Sequence, residues 1–224
     1  MSDGVEAGLP AAAFFDLDGT LVIGQTQALL VRFLRKRGVV SRAFLAVTAV
    51  WFLAYKAGLV KVTDESRDKG ARVFRGLTIA EADSLMTSFA NEVMVPRLHV
   101  AATAALRSHL AGGYKVVVLS AALEPVVKAL CERLGVKLYV GASCETADGR
   151  YTGRLSGRTP YGPVKAEVAS GMIARWGFDP ADCWAYADHT TDLSLLGSVG
   201  HPVAVHPKPG LLEAARSAGW TVLP

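Results

Sequence analysis

The sequence predicts an α/β fold, in which a parallel sheet is covered by helices on both faces and carries an all-helical insert. The run AAAFFDL at residues 11–17 is short and apolar and ends in acids and Gly19, which is typical of a buried strand. After Pro96 the chain alternates β-branched apolar runs with segments of helical spacing, the pattern of a parallel sheet. Between Gln25 and about Asn91 only helical spacing recurs, so this region is predicted to contain no strand.

The elements after Pro96 follow from their apolar runs and from the glycines and prolines between them. Helices are predicted over residues 98–110, 124–134, 164–176, 193–196 and 211–217, and strands over 115–119, 137–140, 183–187 and 201–205. Asp148-Gly149 is a turn pair typical of a β-hairpin. We therefore expect a Rossmann-like core domain formed by residues 1–23 and 96–224, into which a helical cap of residues 24–95 is inserted.

Local signals also predict individual helices of the cap. The apolar residues at positions 29, 30, 33 and 34 have the spacing of one helix face. Thr63 and Ser66 are suited to begin a third helix, and Thr78-x-x-Glu81 is a capping-box pattern that predicts the start of a fourth.

One segment of the cap has two interpretations. Residues 43–60 (AFLAVTAVWFLAYKAGLV) are almost continuously apolar and approach the length of a membrane span. A helix that is apolar on all sides is either buried in protein or in contact with lipid. We favour a helix packed inside the cap, and weak contact with a membrane or a lipid through 43–60 is the alternative.

Composition narrows the class of protein. The 224 residues are 51% hydrophobic and 20% charged, which suits a folded domain with a buried core. The net charge of +4 is mild and the basic residues are not interleaved with aromatic ones, so nucleic acid is not an expected partner. Three cysteines without C-x-x-C spacing argue against a disulfide framework or a structural zinc. Because the N-terminus lacks a charged-then-apolar signal pattern, we expect a cytoplasmic protein, and its oligomeric state is left open.

Polar residues follow several of the predicted strands. In a parallel α/β sheet, ligands bind beyond the carboxyl ends of the strands. The residues predicted at this edge or on the helices that begin there are Asp16, Asp18, Ser120, Lys165, Asp188 and Asp192. Carboxylates, a hydroxyl and an ammonium at one edge are the groups that phosphoryl transfer requires, because that chemistry depends on positioning and charge neutralisation.

Each residue type has a role in such a site. A carboxylate such as Asp16 can attack phosphorus and form an acyl-phosphate, and Asp18 can act as general acid and base. Two carboxylates and a backbone carbonyl suit Mg²⁺, which prefers oxygen ligands and retains water. Gly19 permits a tight turn that exposes backbone N–H groups to phosphate, and Ser120 and Lys165 can bind and neutralise the phosphate.

FFDLDGTLV, VVVLSAALEP, the isolated Lys165 and YADHTTDLSLL resemble, in this order, the four motifs of the haloacid dehalogenase superfamily. The helical insert resembles that superfamily's first type of cap, and the branch with the greatest similarity contains the phosphoserine-phosphatase-like hydrolases. The resemblance implies Asp16 as nucleophile and Asp18 as acid and base. It implies Mg²⁺ as cofactor, with Asp16, Asp18 (through its backbone carbonyl), Asp188 and Asp192 around the metal. It also implies that Ser120 and Lys165 contact the phosphate, and we expect Gly19 and Ala121 to contact it as well, although relatives often have glycine or serine where the second motif here continues with Ala121 and Ala122.

Departures from the family pattern concern the substrate. His189 follows Asp188 where relatives have a small residue, and it is suited either to reach the substrate or to cap a helix; we favour the cap. Gln25 stands where phosphoserine phosphatases carry a glutamate that binds the ammonium of the substrate, which disfavours phosphoserine. Arg72 is a candidate substrate anchor or a surface arginine paired with an acid of its own helix.

These observations predict a magnesium-dependent phosphatase that hydrolyses a small phosphorylated metabolite through an aspartyl-phosphate. A phosphotransferase and a membrane-associated lipid-phosphate phosphatase are the alternatives.

Overall fold

A computed structural model describes residues 11–39, 68 and 70–224 of the chain. The apolar segment 43–60 and the helix start predicted at Thr63 and Ser66 lie outside these residues. Within the described residues, no helix is both long enough and apolar enough to cross a membrane.

A parallel sheet forms the centre of the molecule. The strands of the described residues are β1 (Ala12–Phe15), β2 (Lys115–Leu123), β3 (Leu138–Ala142), β4 (Cys144–Ala147), β5 (Arg150–Leu155), β6 (Trp184–Ala187), β7 (His201–Val205) and β8 (Thr221–Leu223). Six of them form one sheet in the order β3-β2-β1-β6-β7-β8, and every neighbouring pair in it is parallel. The predicted α/β fold with a parallel sheet is therefore confirmed.

Helices cover both faces of this sheet. They are α1 (Thr26–Lys36), α2 (Ile79–Phe89), α3 (Val100–Ala111), α4 (Glu124–Leu134), α5 (Pro163–Trp176), α6 (Leu193–Leu196) and α7 (Pro209–Ser217). Alternate residues of β1 point to opposite faces, so Phe15 joins one buried cluster and Phe14 the other. Burial on both faces explains why the run at residues 11–15 is apolar throughout instead of alternating.

The described part of the insert is helical, as predicted. The capping box at the start of α2 is present: Glu81 N donates to Thr78 Oγ1 over 3.2 Å, and Thr78 N donates to Glu81 Oε2 over 2.7 Å. After α2 the chain continues through a π-helical turn at Ala90–Met94 and a 3₁₀ turn at Val95–Arg97. The latter contains Pro96, which cannot donate a helical hydrogen bond.

The two segments that connect the core with the insert run side by side. Ile23 N donates to Arg97 O over 2.8 Å, and His99 N donates to Leu21 O over 2.9 Å. Because these bonds join the two connecting segments, they support the boundaries that we propose for the cap, near residues 23 and 96.

Some predicted elements differ from those observed. The strand predicted to end at Leu119 extends to Leu123, because Leu123 pairs with Ala142 on β3. The register of this pairing is irregular between Leu119 and Leu123. Strand β8 was not predicted, since three residues carry too little pattern. The hairpin predicted around Asp148-Gly149 is present as β4 and β5, and both turn residues have positive φ (49° and 72°), as a tight hairpin turn requires.

Candidate active site

Asp16 lies at the carboxyl end of the central strand. Its backbone N donates to Tyr186 O on β6 over 2.9 Å, which holds the residue between neighbouring strands. The side chain is buried, and Thr20 Oγ1 is 3.4 Å from its Oδ2. The fold therefore presents the Asp16 carboxylate at the edge where the parallel strands end.

Lys165 joins two of the carboxylates. Its Nζ donates to Asp16 Oδ1 over 2.6 Å and to Asp192 Oδ2 over 3.1 Å, and all three side chains are at most 8% exposed. Burial alone would lower the pKa of Lys165, but the charges of Asp16 and Asp192 raise it above its ordinary value. The ammonium is thus held charged between two buried anions.

The position of Lys165 depends on the start of α5. Gly162 precedes this helix with φ 55° and ψ −129°, a conformation that is essentially restricted to glycine. Pro163 occupies the first position of the helix, where its missing N–H costs nothing. The lysine therefore projects from the first turn of a helix whose entry is fixed by its two preceding residues.

A tight turn follows Asp16. Leu21 N and Val22 N both donate to Leu17 O, and Gly19 N donates to Val22 O. Gly19 has φ +86°, and a Cβ at this position would lie 2.2 Å from Asp188 Oδ2. Glycine is required here for two reasons, the backbone conformation and the close approach of Asp188.

Asp18 faces the start of the insert. Its Oδ1 accepts a hydrogen bond from Thr26 N, the first residue of α1, over 2.7 Å. Burial raises the pKa of Asp18 to about 6, although the hydrogen bond from Thr26 opposes the shift. A carboxyl with a pKa near neutrality can both donate and accept a proton.

Asp188 and Asp192 follow β6. Burial, together with the charge of Asp16, raises the pKa of Asp188 above its ordinary value. Burial also raises the pKa of Asp192 to about 6, against the opposing charge of Lys165. Asp192 makes no side-chain cap to α6, so its carboxylate is directed to Lys165 instead.

Ser120 lies within the irregular part of β2. It is 1% exposed, and its Oγ accepts a hydrogen bond from Ala122 N over 3.0 Å. Ala121, between these two residues, is exposed. The serine hydroxyl remains able to donate its own proton to an anion.

Comparison with known proteins agrees with this arrangement. A family model described as haloacid dehalogenase-like hydrolase matches residues 13–197. The chain belongs to this family. The predicted resemblance is therefore confirmed for most of the sequence.

Several relatives resemble the hydrolase along nearly its whole length. A Streptomyces azureus protein, named an inhibition of morphological differentiation protein, is 30% identical over 100% of this chain and 82% of its own. A Mycobacterium tuberculosis phosphoserine phosphatase is 30% identical over 96% of this chain and 70% of its own. A Neisseria meningitidis histidinol-phosphatase is 28% identical over 94% of this chain and 97% of its own.

Solved structures share the fold. A Bordetella pertussis protein of unknown function matches with a TM-score of 0.85 at 27% identity, over 96% of this chain and 98% of its own. An apo phosphoserine phosphatase matches with a TM-score of 0.64 at 20% identity, over 95% of this chain and 92% of its own. At that identity the second likeness concerns the fold alone.

The predicted substrate residues of the hydrolase lie in different settings. Gln25 is exposed directly before α1, and Arg72 is exposed beside a cavity of about 820 Å³ between the insert and the β4–β5 hairpin. Neither side chain hydrogen-bonds a carboxylate of the site in the described ranges. The imidazole of His189 accepts a hydrogen bond from Thr191 N over 3.2 Å, which is the capping arrangement that the sequence favoured.

Three residues near the site were not among the predicted ones. Thr20 approaches Asp16, Thr26 donates its backbone N–H to Asp18, and the ammonium of Lys208 lies 3.3 Å from Asp188 Oδ2. Thr20 follows Gly19 in the first motif and could have been found there. Thr26 and Lys208 carry no local signal, because their contacts arise only from the tertiary fold.

The donors predicted for Mg²⁺ are oxygen atoms of the residues that follow β1 and β6. In the part of the chain that the structure describes, no three His, Cys, Asp or Glu side chains are arranged to hold a metal ion by themselves. Two carboxylates, Asp16 and Asp188, with the carbonyl of Asp18 and water, form a set of hard oxygen ligands. The repulsion from Asp16 that contributes to the raised pKa of Asp188 is the effect that a cation would relieve, so the donor set fits Mg²⁺.

Proposed function

We propose that this hydrolase is a magnesium-dependent phosphatase that cleaves a small organic phosphomonoester, with Asp16 as the nucleophile. The observation that carries the proposal is the buried ammonium of Lys165 between Asp16 and Asp192. Lys165 holds the Asp16 carboxylate in one orientation and supplies a positive charge beside it. Both are needed where a carboxylate attacks a phosphate dianion.

The first step is an in-line displacement at phosphorus. An Asp16 oxygen forms a bond to phosphorus while the bond from phosphorus to the ester oxygen breaks. Asp18 donates its proton to the departing alkoxide, and its pKa of about 6 leaves a fraction of this carboxyl protonated near neutral pH. Lys165 neutralises the negative charge that accumulates on the phosphoryl oxygens, and Ser120 donates a hydrogen bond to one of them.

The second step returns the enzyme to its starting state. Asp18, now ionised, accepts a proton from a water molecule as the water attacks phosphorus. The bond between phosphorus and the Asp16 oxygen breaks, which releases inorganic phosphate and the free carboxylate. The N–H of Gly19 itself is donated to Val22 O, so we assign the phosphoryl oxygens to the neighbouring N–H groups of this turn and to that of Ala121.

Magnesium supplies charge neutralisation at the phosphate when it is bound. We assign its donors to Asp16, the backbone carbonyl of Asp18 and Asp188. Asp192 is held by Lys165, whose Nζ lies 3.0 Å from its Oδ1 and 3.1 Å from its Oδ2. Asp192 would therefore support the metal site through hydrogen bonds, and would not be a direct donor.

The substrate is a small metabolite chosen by the cap of residues 24–95. The relatives named phosphoserine phosphatase and histidinol-phosphatase support a small phosphorylated metabolite as the substrate class. Gln25 offers a neutral amide where the ammonium of phosphoserine would need an anion, so phosphoserine remains disfavoured. We place the enzyme in the cytoplasm, with no nucleic-acid partner.

A phosphate-release screen tests the function. Phosphomonoesters that include phosphoserine and histidinol phosphate are incubated with the protein and Mg²⁺, beside the variants Asp16→Asn and Asp148→Asn. Asp16→Asn should reduce kcat by about 10³-fold or more, because an amide is a poor nucleophile. Asp148 lies exposed at the hairpin tip with φ 49°, which asparagine tolerates, so Asp148→Asn is the matched control and should retain full activity.

The outcomes separate the alternatives. Equal activity of Asp16→Asn and the wild type would overturn the nucleophile assignment, and rapid phosphoserine turnover would overturn the argument from Gln25. Phosphorylated alcohol formed in excess of free phosphate, with an alcohol added, would indicate a phosphotransferase. Flotation with anionic vesicles together with faster turnover of a lipid phosphate would indicate the lipid-phosphate alternative through 43–60.

A further inference from the structure

A second lysine, Lys208, contacts a different carboxylate of the site from those that Lys165 contacts. The Nζ of Lys208 lies 3.3 Å from Asp188 Oδ2. Its backbone N also donates to Asp188 O over 3.0 Å, so this one residue holds both the carbonyl and the carboxylate of Asp188. The carboxylate thus has a positive partner that is not shared with Asp16 or Asp192.

The backbone of Lys208 is fixed by its neighbours. Pro209 occupies the first turn of α7 directly after it, and His206 N donates to Leu223 O on β8 over 2.8 Å. The chain between β7 and α7 is therefore anchored on both sides of the lysine.

The two lysines differ in how tightly they are held. The Lys165 side chain is 5% exposed and has two carboxylate partners, whereas the Lys208 side chain is 51% exposed and has one. Removing a buried ammonium from its partners is costly, but a half-exposed ion pair exchanges with water at little cost. Lys208 can therefore leave Asp188 while Lys165 stays in place.

Asp188 is also one of the proposed magnesium donors. Mg²⁺ held by Asp188 would share its carboxylate with the Lys208 ammonium. Two cations beside one carboxylate repel each other. Metal and lysine would therefore compete for Asp188.

We propose that Lys208 is a positioning residue that holds the Asp188 carboxylate and competes with Mg²⁺ for it. This inference rests on the proposed function, since it takes Asp188 as a metal donor. Lys208 holds the carboxylate beside the Gly19 turn, and in doing so it weakens the apparent affinity for Mg²⁺.

Calorimetric titration of the full chain with MgCl₂, without substrate, tests the inference. Lys208→Met should bind Mg²⁺ about two- to fivefold more tightly than the wild type, the range expected when a half-exposed competing ion pair is removed. Lys208→Arg retains the charge and should bind as the wild type does. Lys137→Met removes the same charge from an exposed position before β3, at the opposite end of the strands, and should leave the affinity unchanged.

The possible failures are distinguishable. Unchanged or weaker Mg²⁺ binding by Lys208→Met, while Asp188→Asn abolishes binding, would overturn the role of Lys208 and leave the proposed function intact. Absence of Mg²⁺ binding by the wild type, or full binding by Asp188→Asn, would overturn the metal site on which the proposed function depends.

Discussion

Replacement of Gly19 by alanine should separate backbone strain from damage to the site. The residue has φ +86°, and placing a side chain in this left-handed region costs about 1–2 kcal/mol. The new Cβ would lie 2.2 Å from Asp188 Oδ2 and 2.5 Å from its Cγ, so the Asp188 side chain must move. A shift of about 1 Å in an active-site group can reduce the rate by about 10²-fold. We expect Gly19→Ala to lose about 2–4 kcal/mol of unfolding free energy. We also expect its kcat/KM to fall by about 10²-fold or more.

Gly135→Ala provides the matched control. Gly135 ends α4 with φ +74°, but a Cβ there would meet nothing within 4 Å. This variant should lose about 1–2 kcal/mol of unfolding free energy and retain full activity. Urea unfolding and phosphate release with Mg²⁺ measure the two quantities for each variant. If Gly19→Ala were as active as Gly135→Ala, the close approach between the Gly19 turn and Asp188 would not be required for catalysis.

Three further substitutions test the energetics of the site and the fold. Lys165→Met should abolish phosphate release and cost about 3–5 kcal/mol of stability in urea, because two buried carboxylates lose their partner; stability equal to the wild type would refute the buried ion pairs. Thr78→Ala removes the capping box of α2 and should cost about 1 kcal/mol of unfolding free energy, with kcat unchanged; no loss would mean that the cap is not formed in solution. Burial lowers the pKa of His109 below its ordinary value of 6.5, so the unfolded chain takes up the proton first and stability falls as the pH drops through that value. In His109→Gln the decrease in unfolding free energy between pH 7.5 and pH 5.5 should be smaller than in the wild type, and an equal decrease would contradict the assignment.

Local signals explain which elements could be predicted from the sequence. The bounds of α4 agree with prediction because Pro125 marks its first turn and Gly135 its end. The predicted end of β2 was wrong because the strand resumes pairing at Leu123 with Ala142. No residue next to Leu123 in the sequence indicates this contact. Strand β8 was missed for the same reason, because its three residues are recognisable as a strand only through their pairing with β7.

The same distinction holds for the candidate site. Asp16 and Asp188 could be placed at one sheet edge because each directly follows an apolar strand, and Lys165 because it opens a helix on that edge. The contact of Lys208 with Asp188 could not be predicted, since it depends on how the connection between β7 and α7 folds back. The hydrogen bond from Thr26 to Asp18 likewise depends on where the insert begins.

The buried cluster on one face of the sheet has a consequence for folding. It extends without interruption from Phe15 on β1, through Leu130 on α4, to Met86 and Phe89 on α2 of the insert. Lys128 and Asp83 add an ion pair of 2.6 Å across the same junction. Insert and core therefore share one hydrophobic interior and should melt in a single cooperative transition. The boundary between insert and core is a position along the chain and does not divide the hydrophobic interior. A core expressed without its insert would expose the apolar surface that normally packs against the insert.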